Sequence, residues 1–183
     1  MPVALMPDRL LHSNQPVSPI LLPVPRDQVR WSLPPADWCK LNVDRARDHS
    51  LGFASCGGLI RDHNGQWLRG FARSLGVCSP IEVELWAVHE GLVQACVLGL
   101  KRIVLEVDGT LVVHLFSLLP RIVPSMTMVQ HITSLLNRDW SVKIVHSFRK
   151  ANAVADRLAK SVNLSSLDFR IFVDPTPFIF YLL

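Results

Sequence analysis

Hydrophobic and polar residues alternate with the period of a β-strand at three places in the first half of the chain. These stretches cover about residues 39–46, 54–62 and 66–74, and turn residues at 62–65 separate the last two. The side chains of a half-buried strand alternate between core and solvent, and short turns join antiparallel neighbours. The pattern therefore predicts an antiparallel meander of three strands.

The second half of the chain alternates between helical and strand periods. Helices are predicted at about residues 80–98, 110–119, 125–138 and 152–162, and strands at 102–108 and 140–147. Strands that alternate with helices after a meander favour a mixed sheet with helices packed against it. We therefore expect an α/β fold.

Four acidic residues lie where these predicted elements begin or end. Asp44 and Asp108 are near the ends of strands, whereas Glu84 and Asp156 fall in the first turns of helices. In sheets flanked by helices, ligand sites collect outside the carboxyl ends of the strands. Hard cations such as Mg²⁺ take carboxylate and phosphate oxygens as ligands, and four carboxylates can hold two such ions. The layout suggests a metal-dependent nuclease.

Two glutamates compete for the second position of this set. Ser79-Pro80-Ile81-Glu82 has the pattern of a capping box, which gives Glu82 a structural role. The buried stripe of the same helix is predicted to consist of Leu85, Val88, Leu92 and Ala95. Glu84 belongs to neither group and lies near the positive end of the helix dipole, so it is the better ligand.

The last predicted helix repeats this arrangement. Asn152 is a good N-cap for the residues that follow, and Asp156 falls in the first turn. His146 ends the preceding strand, and we expect its side chain to lie beside Asp156.

These residues form part of an ordered set of matches that runs from residue 31 to about residue 162. The set comprises Trp31, Pro34-Pro35, Trp38, Lys40-Leu41-Asn42-Val43-Asp44, Gly57-Gly58-Leu59-Ile60-Arg61-Asp62, Gly65, Glu84-Leu85-Trp86-Ala87, Gly91-Leu92, Leu105-Glu106, Asp108, His146, Arg149, Asn152, Ala155-Asp156 and Leu158-Ala159. With this set, the chain resembles a type 1 ribonuclease H domain. It is most similar to the plant reverse-transcriptase-like version found in retroelement-derived proteins.

The resemblance implies a ribonuclease H-like fold with a five-stranded mixed sheet, in which an antiparallel meander precedes parallel strands and helices flank both faces. It also implies endonucleolytic cleavage of RNA in RNA–DNA hybrids. Asp44, Glu84, Asp108 and Asp156 would bind two Mg²⁺ ions, with Mn²⁺ able to substitute, and the products would carry a 5′ phosphate and a 3′ hydroxyl.

Further residues receive roles from the same resemblance. His146 would assist proton transfer or product release, since imidazole both accepts and donates a proton. We also expect Asn42, Arg149, Lys150 and Asn152 to contact nucleic acid.

The chain departs from the family pattern at two positions next to the carboxylates. Arg45 replaces the usual glycine after the first aspartate, and Gly109 replaces the usual serine after the third. A guanidinium at position 45 would either pair with Asp44 and compete with the cation, or point outward and meet a phosphate.

Composition agrees with one globular domain and a polyanionic partner. The 183 residues include 49% hydrophobic residues and carry a formal net charge of +4. We expect a domain at 31–165, a Pro-rich, poorly packed extension at 1–30, and an apolar tail at 166–183 that docks on the domain or forms an interaction site.

Cysteine spacing and hydropathy indicate the cellular compartment and whether the chain spans a membrane. The four cysteines lack metal-site spacing, which favours buried free thiols in a reducing compartment, and so an intracellular protein of the nucleus or cytoplasm. An organelle transit role for the N-terminal segment stays open. No apolar run approaches the roughly 20 residues of a membrane span. We expect a monomer without a membrane partner.

Three functions are compatible with the sequence. The first is an active hybrid-cleaving endonuclease, and the second is a nucleic-acid-binding domain of the same fold that has lost turnover through Arg45. The third is a metal-free α/β interaction domain that uses its apolar C-terminus. An exonuclease is less favoured, because its first strand would carry Asp-x-Glu where this chain has Asp44-Arg45-Ala46.

Overall fold

Six strands and four helices make up the part of the chain that a computed structural model describes, residues 31–48, 50–118 and 127–182. In chain order they are β1 (Cys39–Arg47), β2 (Phe53–Arg61), β3 (Trp67–Val77), α1 (Pro80–Val97), β4 (Arg102–Val107), α2 (Thr110–Leu118), α3 (Thr127–Leu136), β5 (Ser141–His146), α4 (Ala153–Ala159) and β6 (Phe169–Phe172). The predicted extension at 1–30 lies outside the described residues.

The strands form one mixed sheet in the order β5-β4-β1-β2-β3-β6. The meander β1-β2-β3 is antiparallel, and β4 runs parallel to both β1 and β5. The predicted α/β architecture is therefore confirmed. The predicted number of five strands is wrong, because a sixth strand adds to the edge of the sheet.

The sixth strand comes from the segment that the sequence assigned to an apolar tail. Residues of β6 pair antiparallel with residues 70–73 of β3, which would otherwise be an open sheet edge. The run Phe169–Phe172 is rich in the aromatic and β-branched residues that strands favour, and an unpaired edge leaves backbone groups without partners. Covering that edge explains why this segment docks on the domain.

The main hydrophobic core lies between the sheet and helices α1, α2 and α3. Leu41, Leu85, Leu92, Ile103 and Leu105 are all fully buried there. The predicted stripe of α1 is confirmed, since all four of its members are buried. The capping box also forms, with the Ser79 hydroxyl and the Glu82 carboxylate each accepting from the other residue's backbone N–H.

Helix α4 packs on the opposite face of the sheet, directly against the backbone of β2. A Cβ atom at Gly57 would lie 2.4 Å from the backbone nitrogen of Ala159, so only glycine permits this approach. The Ser55 hydroxyl donates to the Ala159 carbonyl at 2.6 Å. Because Gly57 pairs with Asp44 of β1, the close packing also brings α4 next to that carboxylate.

The cysteines and the helices add two observations. All four cysteines are free, as predicted, but only Cys56 is fully buried. Cys39, Cys78 and Cys96 are half-buried because they lie at or near the ends of elements, where the core no longer covers them. Among the described helices, none is long and apolar enough to cross a membrane.

Besides the pairing of β6, one fully buried side chain anchors the C-terminal segment. Ile179 is fully buried against Leu59 and Leu158. We expect Ile179→Ala to lower the free energy of unfolding by about 2–4 kcal/mol, because it leaves a cavity under the segment. Tyr181→Ala, at a side chain that is 70% exposed, should change it by less than about 0.5 kcal/mol. Urea unfolding measures both, and equal effects would contradict the docking.

Candidate active site

Two of the predicted carboxylates come together because β1 and β4 are adjacent parallel strands. The pairing aligns Leu41 with Leu105 and Asn42 with Glu106. Two residues further along each strand, the same offset leads to Asp44 and to Asp108, which directly follows β4. The side chain at position 44 is only 4% exposed. The parallel pairing thus brings these two carboxylates near one another, at the edge of the sheet where ligand sites are expected.

Asp44 is held in an environment that disfavours its charge. One carboxylate oxygen accepts the backbone N–H of Arg45 at 2.7 Å, and the other is buried without a hydrogen-bond partner. Burial raises the pKa of Asp44 to about 7, with a further upward effect from the charges of Asp108 and Asp156. A bound cation would neutralise these charges and coordinate the unpartnered oxygen, so the residues fit a divalent metal ion.

Glu84 reaches the same cleft from α1. The predicted position in the first turn is wrong, because the helix begins at Pro80 and only Glu82 is an acidic residue of that turn. Oε1 of Glu84 lies 2.7 Å from Nε of Arg45, and the Glu84 side chain is 14% exposed. The contact is an ion pair by distance, since the Nε–H group is not directed at the carboxylate. Burial raises the pKa of Glu84, against the opposing effect of Arg45. Of the two alternatives for Arg45, pairing with Asp44 or pointing outward to a phosphate, neither anticipated this contact: the guanidinium pairs with Glu84.

Gly109 makes room for this position of Glu84. A Cβ atom at residue 109 would lie 2.1 Å from Oε2 of Glu84. A serine, the residue usual in the family, therefore cannot coexist with Glu84 where it now stands. The two departures from the family pattern, Arg45 and Gly109, meet at one side chain.

Asp156 is also paired with a cationic residue. It lies in the first turn of α4, where its carboxylate pairs with Lys160 at 2.7 Å across one helical turn. The side chain of Asp156 is 30% exposed. Glu84 and Asp156 are thus each turned towards a positive side chain. Accordingly, no three acidic, histidine or cysteine side chains among the described residues lie close enough together to hold a metal ion.

His146 and Arg149 approach Asp108 from the end of β5. The His146 ring places Nε2 3.2 Å from the backbone carbonyl oxygen of Asp108 and packs edge-on against Phe148. The sequence predicted a position beside Asp156, whereas the recorded contact is with Asp108, because parallel pairing aligns Val107 with His146. The Arg149 guanidinium lies 3.9 Å from the Asp108 carboxylate and is 81% exposed.

Asn152 has a different role from the one predicted. It precedes α4, but its side chain makes no capping hydrogen bond to the helix. Instead Nδ2 donates to the Val43 carbonyl at 2.7 Å, within a buried setting. The amide ties the start of α4 to β1 one residue before Asp44, and this tertiary contact overrides the N-cap preference.

A buried polar network that the sequence analysis missed lies beneath the site. Asn42 donates to Glu106 at 2.6 Å and accepts from Arg61 at 3.0 Å and from the Trp31 indole at 3.1 Å. Lys40 pairs with Glu106 at 2.7 Å. Alternate residues of a strand share a face, so Asn42 lies on the face of Asp44, and Glu106 on the face of Asp108. This alternation would have revealed the partner.

The residues predicted to contact nucleic acid therefore divide into two groups. Arg149 and Lys150 are exposed. Asn42 and Asn152 are buried and hydrogen-bond within the protein, so they belong to the framework that supports the site.

The same architecture occurs in known ribonuclease H structures. The N-terminal ribonuclease H domain of a Mycobacterium tuberculosis protein matches with a TM-score of 0.59 at 20% identity, over 67% of this chain and 91% of that one. Ribonuclease H1 of Halobacterium salinarum matches with a TM-score of 0.57 at 21% identity, over 67% and 95%. A ribonuclease H1 solved in complex with an RNA/DNA hybrid gives 0.59 at 20% identity, over 68% and 95%. The class of protein is thus α/β with a ribonuclease H fold.

The sequence comparisons are more specific. The reverse transcriptase-like family matches residues 42–162, which include all four carboxylates. An Arabidopsis thaliana protein named for ribonuclease H is 36% identical over 162 residues, 88% of this chain. The chain spans 26% of the length of that relative. The chain belongs to the reverse transcriptase-like family.

The raised pKa of Asp44 predicts a pH-dependent stability in the absence of metal. The folded state holds the proton up to about pH 7, whereas an unfolded aspartate releases it near 3.8. Stability should therefore fall as the pH rises from about 4 to 7, by at most about 4 kcal/mol. Asp44→Asn removes the charge, so its melting temperature in EDTA should exceed that of the native chain at pH 8 but not at pH 4.

The control is Asp174→Asn, which changes an exposed carboxylate. It should leave the pH dependence as it is in the native chain. If Asp44→Asn raises the melting temperature by the same amount at every pH, packing and not charge is responsible for the increase.

Proposed function

We propose that this domain cleaves the RNA strand of RNA–DNA hybrids internally, in a reaction that depends on a divalent metal. The observation that carries the proposal is the buried, unpartnered oxygen of Asp44 beside Asp108, at the carboxyl ends of paired strands. The family match, the Arabidopsis relative named for ribonuclease H and a structural neighbour in complex with an RNA/DNA hybrid support the choice of substrate.

The ligands we propose are Asp44, Glu84, Asp108 and Asp156, with Mg²⁺ as the cation and Mn²⁺ as a substitute. Carboxylate oxygens suit both ions. A pair of bound ions would supply the charge that generates the attacking hydroxide and stabilises the leaving 3′ oxygen. Two ligands, Glu84 and Asp156, must exchange Arg45 and Lys160 for the metal.

The chain's own groups then bind and orient the substrate. His146, at the rim of the site on the Asp108 side, holds or transfers a proton at Nε2 or Nδ1. Arg149 is exposed beside Asp108, and Lys150, the next residue in the chain, is also exposed; both would meet backbone phosphates. Discrimination of RNA from DNA requires contacts to the 2′-hydroxyl group, which alone distinguishes the strands at a given position.

One observation favours a second function. Because Arg45 engages Glu84, the ligand set is incomplete as it stands, which suits a domain that binds hybrids without cutting them. Cleavage by the purified protein separates the two functions.

We expect the purified chain to cut the RNA strand of an end-labelled RNA–DNA hybrid with Mg²⁺ or Mn²⁺, and not with EDTA. Asp108→Asn should lower the rate at least about a hundredfold, because it removes one of the proposed metal ligands. Products resolved on a denaturing gel should be internal fragments. Asp139→Asn, at a fully exposed carboxylate paired with Lys101, is the matched control and should keep the native rate.

Hybrid binding without metal-dependent cutting would replace the first function with the second. If the purified protein neither binds nor cuts the hybrid, both functions are excluded.

Hybrid binding should depend on the exposed neighbours Arg149 and Lys150. Arg149→Ala and Lys150→Ala should each weaken binding and reduce the slope of log K against log salt by about 1, because each removes one phosphate contact. Fluorescence anisotropy in EDTA at several salt concentrations measures this slope. Lys101→Ala, an equal loss of charge at a distant exposed side chain, should leave the slope unchanged. Identical slopes for all variants would place the nucleic acid elsewhere.

A further inference from the structure

Arg45, Glu84 and Gly109 form one interlocked group beside Asp44 and Asp108. Arg45 attracts one oxygen of Glu84 at 2.7 Å, while the other oxygen occupies the space that a Cβ of residue 109 would fill. The position of Glu84 therefore depends on two residues: Arg45 attracts its carboxylate, and Gly109 leaves free the space that the carboxylate occupies. Neither contact involves the backbone caps of α1, which Ser79 and Glu82 already satisfy.

Conformational freedom does not explain the glycine. Gly109 is not among the described glycines with a positive φ, so a side chain there would not strain the backbone. What a side chain meets is the Glu84 carboxylate, the mobile end of a flexible residue. A Cβ at position 109 would push Glu84 away, and the guanidinium of Arg45 would lose its partner.

We infer that Arg45 is a positioning residue that engages the Glu84 carboxylate and so keeps it from a bound cation, with Gly109 as the space that permits this position. The inference rests on the metal site of the proposed function. Asp44, Asp108 and Asp156 then remain as the residues that receive a divalent cation, and the guanidinium supplies a fixed positive charge where a further cation would otherwise be attracted. The native chain should therefore bind divalent cations more weakly than its carboxylates alone would allow.

The first test measures Mn²⁺ binding to the free protein by calorimetry, without substrate. Arg45→Gly should tighten binding about tenfold, because it removes a positive charge and releases Glu84. Arg47→Gly is the matched control: it removes an exposed arginine from the same strand and should change affinity less than about twofold. An Arg45→Gly affinity equal to that of the control would overturn the inference.

Glu84→Gln shows whether the released carboxylate acts as a ligand. In the native background it should weaken Mn²⁺ binding less than about threefold, since Glu84 is already engaged by Arg45. In the Arg45→Gly background it should cancel most of the tenfold gain. Equal effects in the two backgrounds would show that Arg45 does not control Glu84.

The second test needs no metal. In EDTA, Gly109→Ser should lower the melting temperature of the native chain by about 3 °C, because the new Cβ breaks the half-buried Arg45–Glu84 pair. In Arg45→Gly the same substitution should cost less than about 1 °C. Gly109→Ala should follow Gly109→Ser, since the Cβ and not the hydroxyl meets Glu84. An equal loss in both backgrounds would mean that Gly109 and Arg45 are independent.

The two tests separate this inference from the function it rests on. Coupling between positions 45 and 109 without any hybrid cleavage, in the native chain or in Arg45→Gly, would keep the pairing and refute the nuclease. If the native chain cleaves the hybrid and Arg45→Gly binds Mn²⁺ no more tightly than the native chain, the nuclease function stands and the inference about Arg45 is refuted.

Discussion

The parallel pairing of β1 with β4 is the constraint on which the site depends. It sets Asp44 against Asp108 at the end of a sheet whose helices exclude most water, so two like charges share a poorly solvated space. The surrounding cations follow from this repulsion. Arg45 pairs with Glu84, Lys160 with Asp156, and Arg149 lies near Asp108. Each offsets part of a negative charge that the fold cannot separate.

The pairing itself is maintained by polar contacts inside the protein. Lys40 and Asn42 of β1 both bind Glu106 of β4, and Arg61 joins the network from β2. Burial lowers the pKa of Arg61 to about 10, against the effect of Glu106, yet the guanidinium stays charged near neutral pH. Asn152 adds a further link, from the start of α4 to the backbone of β1. The acidic residues at the strand ends are therefore carried by a buried, hydrogen-bonded framework, which favours a preorganised site.

Local patterns were sufficient for most of the fold. The alternation in β1, the capping box before α1 and the β-branched run of β4 are properties of neighbouring residues, and all three predicted their elements correctly. Contacts between distant residues were not predictable in this way. Whether Asn152 would cap its helix or bind Val43, and whether residues 169–172 would extend the sheet, depend on which partner lies nearby after folding. The contact of Arg45 with Glu84 was missed for the same reason, since Glu84 is 39 positions away in the chain.

Arg45 and Gly109 look like two independent losses when each is compared with the family pattern alone. In three dimensions they are one arrangement, because the carboxylate that the arginine attracts is the one that the glycine admits. A cluster of carboxylates is destabilised by repulsion unless positive charges lie nearby. A divalent ion can provide that charge when it is bound, whereas Arg45, fixed in β1 next to Asp44, provides it at all times. With the metal site we propose, the contact that stabilises the metal-free chain would also oppose metal binding, so these two properties could not be maximised together at this position.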